Sequence, residues 1–172
     1  GISKLPPAHI LCINFDNNSE VTIPYWSLSS TIDTNYKDSN SIIETLHNNL
    51  NKSVADQMVA DVPVGAFLSG GIDSSLIVAL MQKNSKRPIN TFTIGYQDSL
   101  YDESLHARSV AKHLETNHTE LIVSSQDLMN VVPKLPDLYD EPFADSSQVP
   151  TYLVSKLARN TVTVALTGDG GD

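Results

Sequence analysis

Apolar and polar positions follow two rhythms along this chain, and the change between them falls near residue 35. Before it lie two short strand-like runs, over residues 9–15 (around Ile10-Leu11-Cys12-Ile13) and residues 20–26 (around Val21-Thr22-Ile23). Asp16-Asn17-Asn18-Ser19 separates them, and those residue types favour a turn. A polar Ser/Thr/Asn/Asp stretch then runs to Asn40, so residues 1–35 read as a hairpin and linker too small to fold well alone. Ser41-Ile42-Ile43-Glu44 has the pattern of a capping box. It predicts an amphipathic helix with Ile43, Leu46, Leu50, Val54 and Met58 on one face.

From Val62 onward, short apolar runs alternate with segments of helical period. Strands are predicted over residues 64–68, 90–96, 119–123 and 161–166, and helices over 74–84, 103–114, 126–135 and 147–159. The pattern contains no internal repeat. Alternating strands and helices predict an α/β fold, a doubly wound parallel sheet flanked by helices, preceded by the short N-terminal hairpin. In a sheet of order 3-2-1-4 the crevice opens between the first and fourth strands at their carboxyl ends. The first core strand runs into Ser69-Gly70-Gly71 and the fourth into Thr167-Gly168-Asp169-Gly170-Gly171-Asp172. That order would bring two glycine-rich, acidic loops to one site.

Composition narrows the function classes. The chain has 172 residues, 40% of them hydrophobic, enough for one domain with a core. A formal net charge of −9 argues against general binding to nucleic acid or anionic membrane. Cys12 is the single cysteine, which rules out an internal disulfide and points to a reducing, cytoplasmic compartment. Its strand-like surroundings predict a packed thiol rather than a nucleophile. The sequons at Asn17, Asn51 and Asn117 are then chance matches. No apolar run approaches the roughly 20 residues that span a bilayer, and Gly1-Ile2-Ser3-Lys4 does not open a signal peptide. A first residue other than Met reads as a fragment.

The chemistry is concentrated in Ser69-Gly70-Gly71-Ile72-Asp73-Ser74-Ser75, between a predicted strand and a predicted helix. Such a segment can be a plain tight turn with Asp73 or Ser74 as helix cap. It can also be an anion cradle, offering backbone N–H groups and hydroxyls at the positive end of a helix. Seven residues in strand–loop–helix context favour the cradle. The loop holds no lysine, so it is not a Walker A motif. It looks like the pyrophosphate loop of the ATP pyrophosphatases, whose fold is the adenine-nucleotide α-hydrolase-like one.

With both loops in view, the chain resembles the synthetase domain of the glutamine-dependent (B-type) asparagine synthetases. The residues that carry the likeness span nearly the whole chain in order. They are Pro63 through Ser75, Thr91-Phe92-Thr93-Ile94-Gly95-Tyr96, Tyr101-Asp102-Glu103-Ser104, Asp140-Glu141-Pro142-Phe143-Ala144-Asp145-Ser146-Ser147 and the Thr167–Asp172 loop. Lys4-Leu5-Pro6-Pro7-Ala8-His9 and Pro24-Tyr25-Trp26 look like the family's connection out of its glutaminase domain. Thr167 stands where the family commonly has Ser, and Ala8 where Gly is common.

The resemblance implies a division of the chain: residues 1–35 as tail of a glutaminase domain plus linker, and 36–172 as the N-terminal part of a PP-loop synthetase domain truncated at its C-terminus. The missing glutaminase domain would supply ammonia, since Cys12 is in the wrong context for the family's catalytic N-terminal cysteine. The family continues with Glu-Leu-Phe-Gly-Gly and further substrate contacts. The implied reaction joins a small carboxylate, most simply aspartate, to ammonia through an acyl-adenylate, releasing AMP and pyrophosphate. ATP and Mg2+ are the implied cofactors, and metal would also offset the repulsion between ATP and an acidic chain.

By the same resemblance, Ser69, Gly70, Gly71, Asp73, Ser74 and Ser75 cradle the pyrophosphate, and Asp73 and Asp172 hold the metal. Adenine and ribose lie against backbone around Leu68, Ile94, Thr167 and Gly168. Asp169 stands near the reacting centre, with a turn aspartate as its plainer alternative. Asp145 or Ser146 can cap the following helix or contribute to the site's rim. His113 and His118 lack partners at metal-ligand spacing and read as structural. Lys83, Lys86 and Arg87 read as solvated charges at a helix end. A related amidotransferase or β-lactam-forming enzyme with another carboxylate, and an inert Mg-ATP-binding module, remain open alternatives, as does a homodimer.

Overall fold

The computed structural model describes residues 2–31, 38–97, 102–142 and 144–170. It comprises two units, Gly1–Thr45 and Leu46–Asp172.

In the first unit, strands β1 (His9–Asn14) and β2 (Ser19–Pro24) pair antiparallel, from His9 opposite Pro24 to Asn14 opposite Ser19. The turn is made by its asparagines: Asn14 Oδ1 accepts from Asp16 N at 2.9 Å and Asn17 Oδ1 from Ser19 N at 3.1 Å. Asn18 takes φ +54°, the left-handed region that Asn tolerates better than most residues. All of β2 is exposed, as is β1 beyond His9. Cys12 is therefore exposed, not packed as expected. Leu28–Thr31 forms a 3-10 turn.

Helix α1 (Ser39–Gln57) starts two residues before the expected capping box. Asp38 caps it: its Oδ1 accepts from Ser41 N at 2.8 Å and its carbonyl from Ile42 N at 3.3 Å. The Ser41 hydroxyl donates to that same carbonyl and caps nothing. On the predicted apolar face, Leu50, Val54 and Met58 reach the core, whereas Ile43 and Leu46 are 64% and 56% exposed.

The second unit runs β3 (Val64–Phe67), α2 (Ile72–Asn84), β4 (Asn90–Tyr96), α3 (Ser104–His113), β5 (Asn117–Val123), α4 (Ser125–Met129), α5 (Leu135–Leu138), α6 (Gln148–Ala158) and β6 (Val164–Leu166). All four strands are parallel in the order β5-β4-β3-β6, which is the predicted 3-2-1-4. One sheet face buries Ala66 and Leu166 against Val54 of α1, Val78 and Met81 of α2, and Ala107 and Ala111 of α3. The other packs Phe67, Phe92 and Ile94 against Val154, Leu157 and Ala158 of α6. Helices on both faces explain why β3 and β6 are apolar runs rather than alternating ones.

Two expectations change. The single helix over 126–135 is replaced by α4, a 3-10 turn at Val132–Lys134, and α5. Pro133 and Pro136 have no N–H to give a continuous helix and their rings crowd the preceding turn. Ser124 starts α4 with a true capping box, its Oγ accepting from Asp127 N at 3.2 Å while Asp127 Oδ2 accepts from Ser124 N at 2.8 Å. Strand β6 is also shorter than predicted. Thr161 and Val162 spend their N–H groups on the Ala158 carbonyl, closing the end of α6. Among the described residues no helix is long and apolar enough to cross a membrane.

His118 is structural, as expected. It lies at the amino end of the sheet, where its Nδ1 is 2.9 Å from the Thr91 hydroxyl, which in turn is 2.9 Å from that of Thr116. Its Nε2 is buried with no hydrogen-bond partner. Burial pulls the imidazole pKa below its ordinary 6.5; nearby Glu120 opposes this and Arg108 adds to it. The folded protein thus binds the proton less well than the unfolded chain, so stability is complete above pH 6.5 and declines as pH falls below it. Urea unfolding at pH 7 and pH 5.5 checks this: wild type should lose stability over that interval, and His118→Gln should lose less.

Candidate functional site

The carboxyl end of β3 delivers the chain to the loop under tight control. Leu68 N continues the ladder to the Phe92 carbonyl at 2.9 Å, and the Thr93 hydroxyl donates to the Leu68 carbonyl. Gly70 then takes φ +85°, and a Cβ there would stand 2.6 Å from Ala107 N and 2.8 Å from His106 Cβ. Only glycine fits both the angle and the approach to α3. Helix α2 follows with Gly71 at its N-cap and no side-chain cap. Neither Asp73 nor Ser74 serves as the cap; both lie inside the first turn, Asp73 exposed and Ser74 buried.

The hydroxyls tie the loop together. Ser69 Oγ and Ser74 Oγ are 2.8 Å apart, Ser69 N donates to Ser74 Oγ at 3.2 Å, and Gly71 N donates to Ser69 Oγ at 3.3 Å. Ser75 Oγ is buried without any partner. An uncapped helix start and paired hydroxyls fit an anion that accepts hydrogen bonds.

The loop after β6 meets this one. A Cβ on Gly168 would lie 2.6 Å from Ser74 N and 2.9 Å from the Asp73 carbonyl carbon. Thr167 Oγ1 accepts from Asp169 N at 3.3 Å, a local turn that aims the chain onward. The expected convergence of the two glycine-rich loops is therefore present, as far as Gly170. Asp172 lies outside the described residues.

A cavity of about 1040 Å³ opens above the sheet's carboxyl ends. Of the predicted site residues, Leu68, Ser69, Ser74, Ile94, Thr167, Gly168 and Asp169 line it; Gly70, Gly71, Asp73 and Ser75 do not. The sequence reading missed Phe92, Tyr96, Glu103, Thr151 and Val154 as lining residues. Ser147, Thr151 and Val154 are spaced i, i+4, i+7, a helical stripe visible in the sequence once α6 is known to face the site. Neither Asp145 nor Ser146 caps the helix, whose N-cap Ser147 has no side-chain cap; Asp145 Oδ1 instead accepts from Ser147 Oγ at 2.7 Å and Ser147 N at 2.8 Å in the turn before α6. Those bonds, the hydroxyl's foremost, hold the Asp145 carboxyl below its ordinary pKa. Ser146 and Ser147 line the cavity, so this segment borders the site.

Burial, and secondarily the charge of Glu103, raises the Tyr96 pKa and keeps its phenol a proton donor. Among the described residues, Glu103 and Asp169 are the only ionisable carboxylates on the wall, and no lysine or arginine joins them. No group of three or more His, Cys, Asp or Glu able to hold a metal occurs among the described residues. Of the two carboxylates expected to hold Mg2+, Asp73 lies exposed in the first turn of α2 and Asp172 is outside the described residues; Mg2+ takes one or two carboxylates with phosphate oxygens. On the far side of residues 167–169 lies a second cavity of about 620 Å³, bordered by Leu50, Val54 and Ile77.

Comparison with known proteins is consistent with this geometry. The family described as asparagine synthase matches residues 45–172. A Methanocaldococcus jannaschii protein described as asparagine synthetase 2 (glutamine-hydrolysing) is 38% identical over 173 residues, covering 98% of this chain and 32% of that protein. Asparagine synthetase 1 of Bacillus subtilis is 37% identical over 131 residues, covering 76% and 21%. The chain thus spans about a third or less of the length of these relatives. Among solved structures, the NMN synthetase of Francisella tularensis is similar in fold, with TM-score 0.51 and 14% identity over 71% of this chain and 52% of that one.

The loop contact can be checked by substitution. Gly168→Ala places a methyl against backbone atoms and is expected to cost about 1–3 kcal/mol. Gly71→Ala, whose Cβ would meet only Ser69 Oγ at 3.3 Å, is expected to cost less. Urea midpoints of the two variants measure the difference.

Proposed function

The chain belongs to the asparagine synthase family, and on that premise we propose that it forms the nucleotide-binding part of an ATP-dependent, amide-forming ligase. Residues 1–35 are the tail of a preceding glutaminase domain with its linker, and residues 36–172 begin the synthetase domain. The full reaction converts aspartate, ATP and glutamine-derived ammonia into asparagine, AMP and pyrophosphate by way of an acyl-adenylate. The names of the relatives support this reaction class.

The observation that carries the proposal is the contact of Gly168 with the first turn of α2. It sets the uncapped, hydroxyl-lined loop beside the loop bearing Asp169, over one cavity. Cleavage between the α and β phosphates piles charge on the departing pyrophosphate. Ser69, Gly70, Gly71, Ser74 and Ser75 supply donors fixed in advance, which lower the barrier by stabilising that charge. Leu68, Ile94, Thr167 and Gly168 border the nucleoside end, and Asp169 orients the attacking carboxylate. Asp73 and Asp172 hold Mg2+, which when bound neutralises phosphate charge in a cavity wall that, among the described residues, has no basic side chain.

Exchange of labelled pyrophosphate into ATP by the longer protein tests the reading. Exchange should require aspartate, and Asp73→Ala should lower it by about 10²-fold or more. Exchange independent of aspartate would assign another carboxylate to the site, and nucleotide binding without any exchange would reduce the chain to a binding module. Full affinity of Asp73→Ala for a non-hydrolysable Mg-ATP analogue, measured by calorimetry, would remove Asp73 from the metal.

A further inference from the structure

At the junction of β3 and the loop lies one peptide unit held from both ends, that between Leu68 and Ser69. Its carbonyl accepts from the Thr93 hydroxyl on β4, and its N–H donates to Ser74 Oγ on α2 at 3.2 Å. Two elements thereby fix the tilt of one peptide plane. The grip continues inward: Ser74 Oγ is 2.8 Å from Ser69 Oγ, which accepts from Gly71 N at 3.3 Å. A chain of hydrogen bonds therefore runs from a core strand to the last residue before α2.

Thr93 is suited to anchor that chain. It is 3% exposed and sits mid-sheet, opposite Glu120 on β5, so its backbone has little freedom. A buried hydroxyl is unfavourable unless bonded, and valine would fill the same space in a strand with better propensity. The other buried threonine of β4, Thr91, satisfies itself on the side chains of Thr116 and His118. Thr93 instead spends its proton on loop backbone, at the point where Leu68 leaves the ladder.

We propose that Thr93 is a positioning residue for the phosphate loop, its hydroxyl setting the Leu68–Ser69 peptide plane and through it the Ser69–Ser74 pair and the Gly71 N–H. The role goes beyond the residues assigned above, and only its ligand-binding consequence rests on the proposed function. Without the hydroxyl the peptide can rock, and the donors meant for the anion lose their fixed direction.

The test uses the 172-residue chain with Thr93→Val, Thr93→Ser and Ser74→Ala, and Thr93→Ala as a second hydroxyl deletion. In Thr93→Val, amide hydrogen exchange at Ser69 should accelerate about tenfold while exchange at Met81 stays as in wild type. Affinity for a non-hydrolysable Mg-ATP analogue should fall about fivefold to tenfold, the scale of one hydrogen bond. Thr93→Ser should restore both. Because Thr93 and Ser74 act on one peptide, Ser74→Ala should cost less in the Thr93→Val background than alone. Unchanged Ser69 exchange in both hydroxyl deletions, failure of Thr93→Ser to restore it, or strictly additive losses would overturn the proposal. A wild-type chain that binds no nucleotide would count against the function proposed above, while the exchange rates would still decide the role of Thr93.

Discussion

At Gly168 two backbones approach more closely than any side chain allows, and the site depends on that approach. The loop after β6 can rest on the first turn of α2 because nothing but hydrogen projects from the glycine. Two things must hold for the contact to exist. Strand β6 must be the neighbour of β3, which the sheet order provides. Helix α2 must also begin abruptly, which Gly70 and Gly71 allow by turning the chain without a capping side chain. The sheet thus does more than fill a core; it sets the distance between two loops that are nearly 100 residues apart in the chain.

The wall of the cavity has a consistent electrostatic character. Among the described residues its side-chain donors are hydroxyls and the Gln97 amide, and its only charged side chains are acidic. For an anionic ligand such a wall supplies direction more than attraction. Fixed dipoles at a helix start and bonded hydroxyls orient phosphate oxygens, and bulk charge is left to a cation. The net charge of −9 fits this division of labour, since it places no general field of positive potential over the surface.

The parallel sheet was legible because short strand-like runs such as the apolar Val64–Phe67 alternate with helical segments. Both glycine-rich loops were legible because glycine and hydroxyl residues cluster there beyond what a plain turn requires. The failures share a cause in local hydrogen bonding. Asp38 sits in a polar stretch with no apolar period to mark it, yet it takes the cap from Ser41. Pro133 and Pro136 outweigh the helical spacing around them. Tyr96 ends β4 and Glu103 precedes α3, and no periodicity marks either position as facing the cavity. The exposed Cys12 shows the limit of strand patterning, which identifies a strand without saying what covers it.

Strand β6 contributes three residues to the sheet, in register from Val164 with Val64 to Leu166 with Ala66. Among the described residues it pairs only with β3. Half of the site therefore hangs from a short ladder, while the other half grows from a central strand. Heat or denaturant acting on so uneven a support should release the Thr167–Asp169 side first, leaving the core folded. Competence to hold a ligand would then vanish at milder conditions than the fold itself, and a bound ligand bridging both loops would act as the missing rungs.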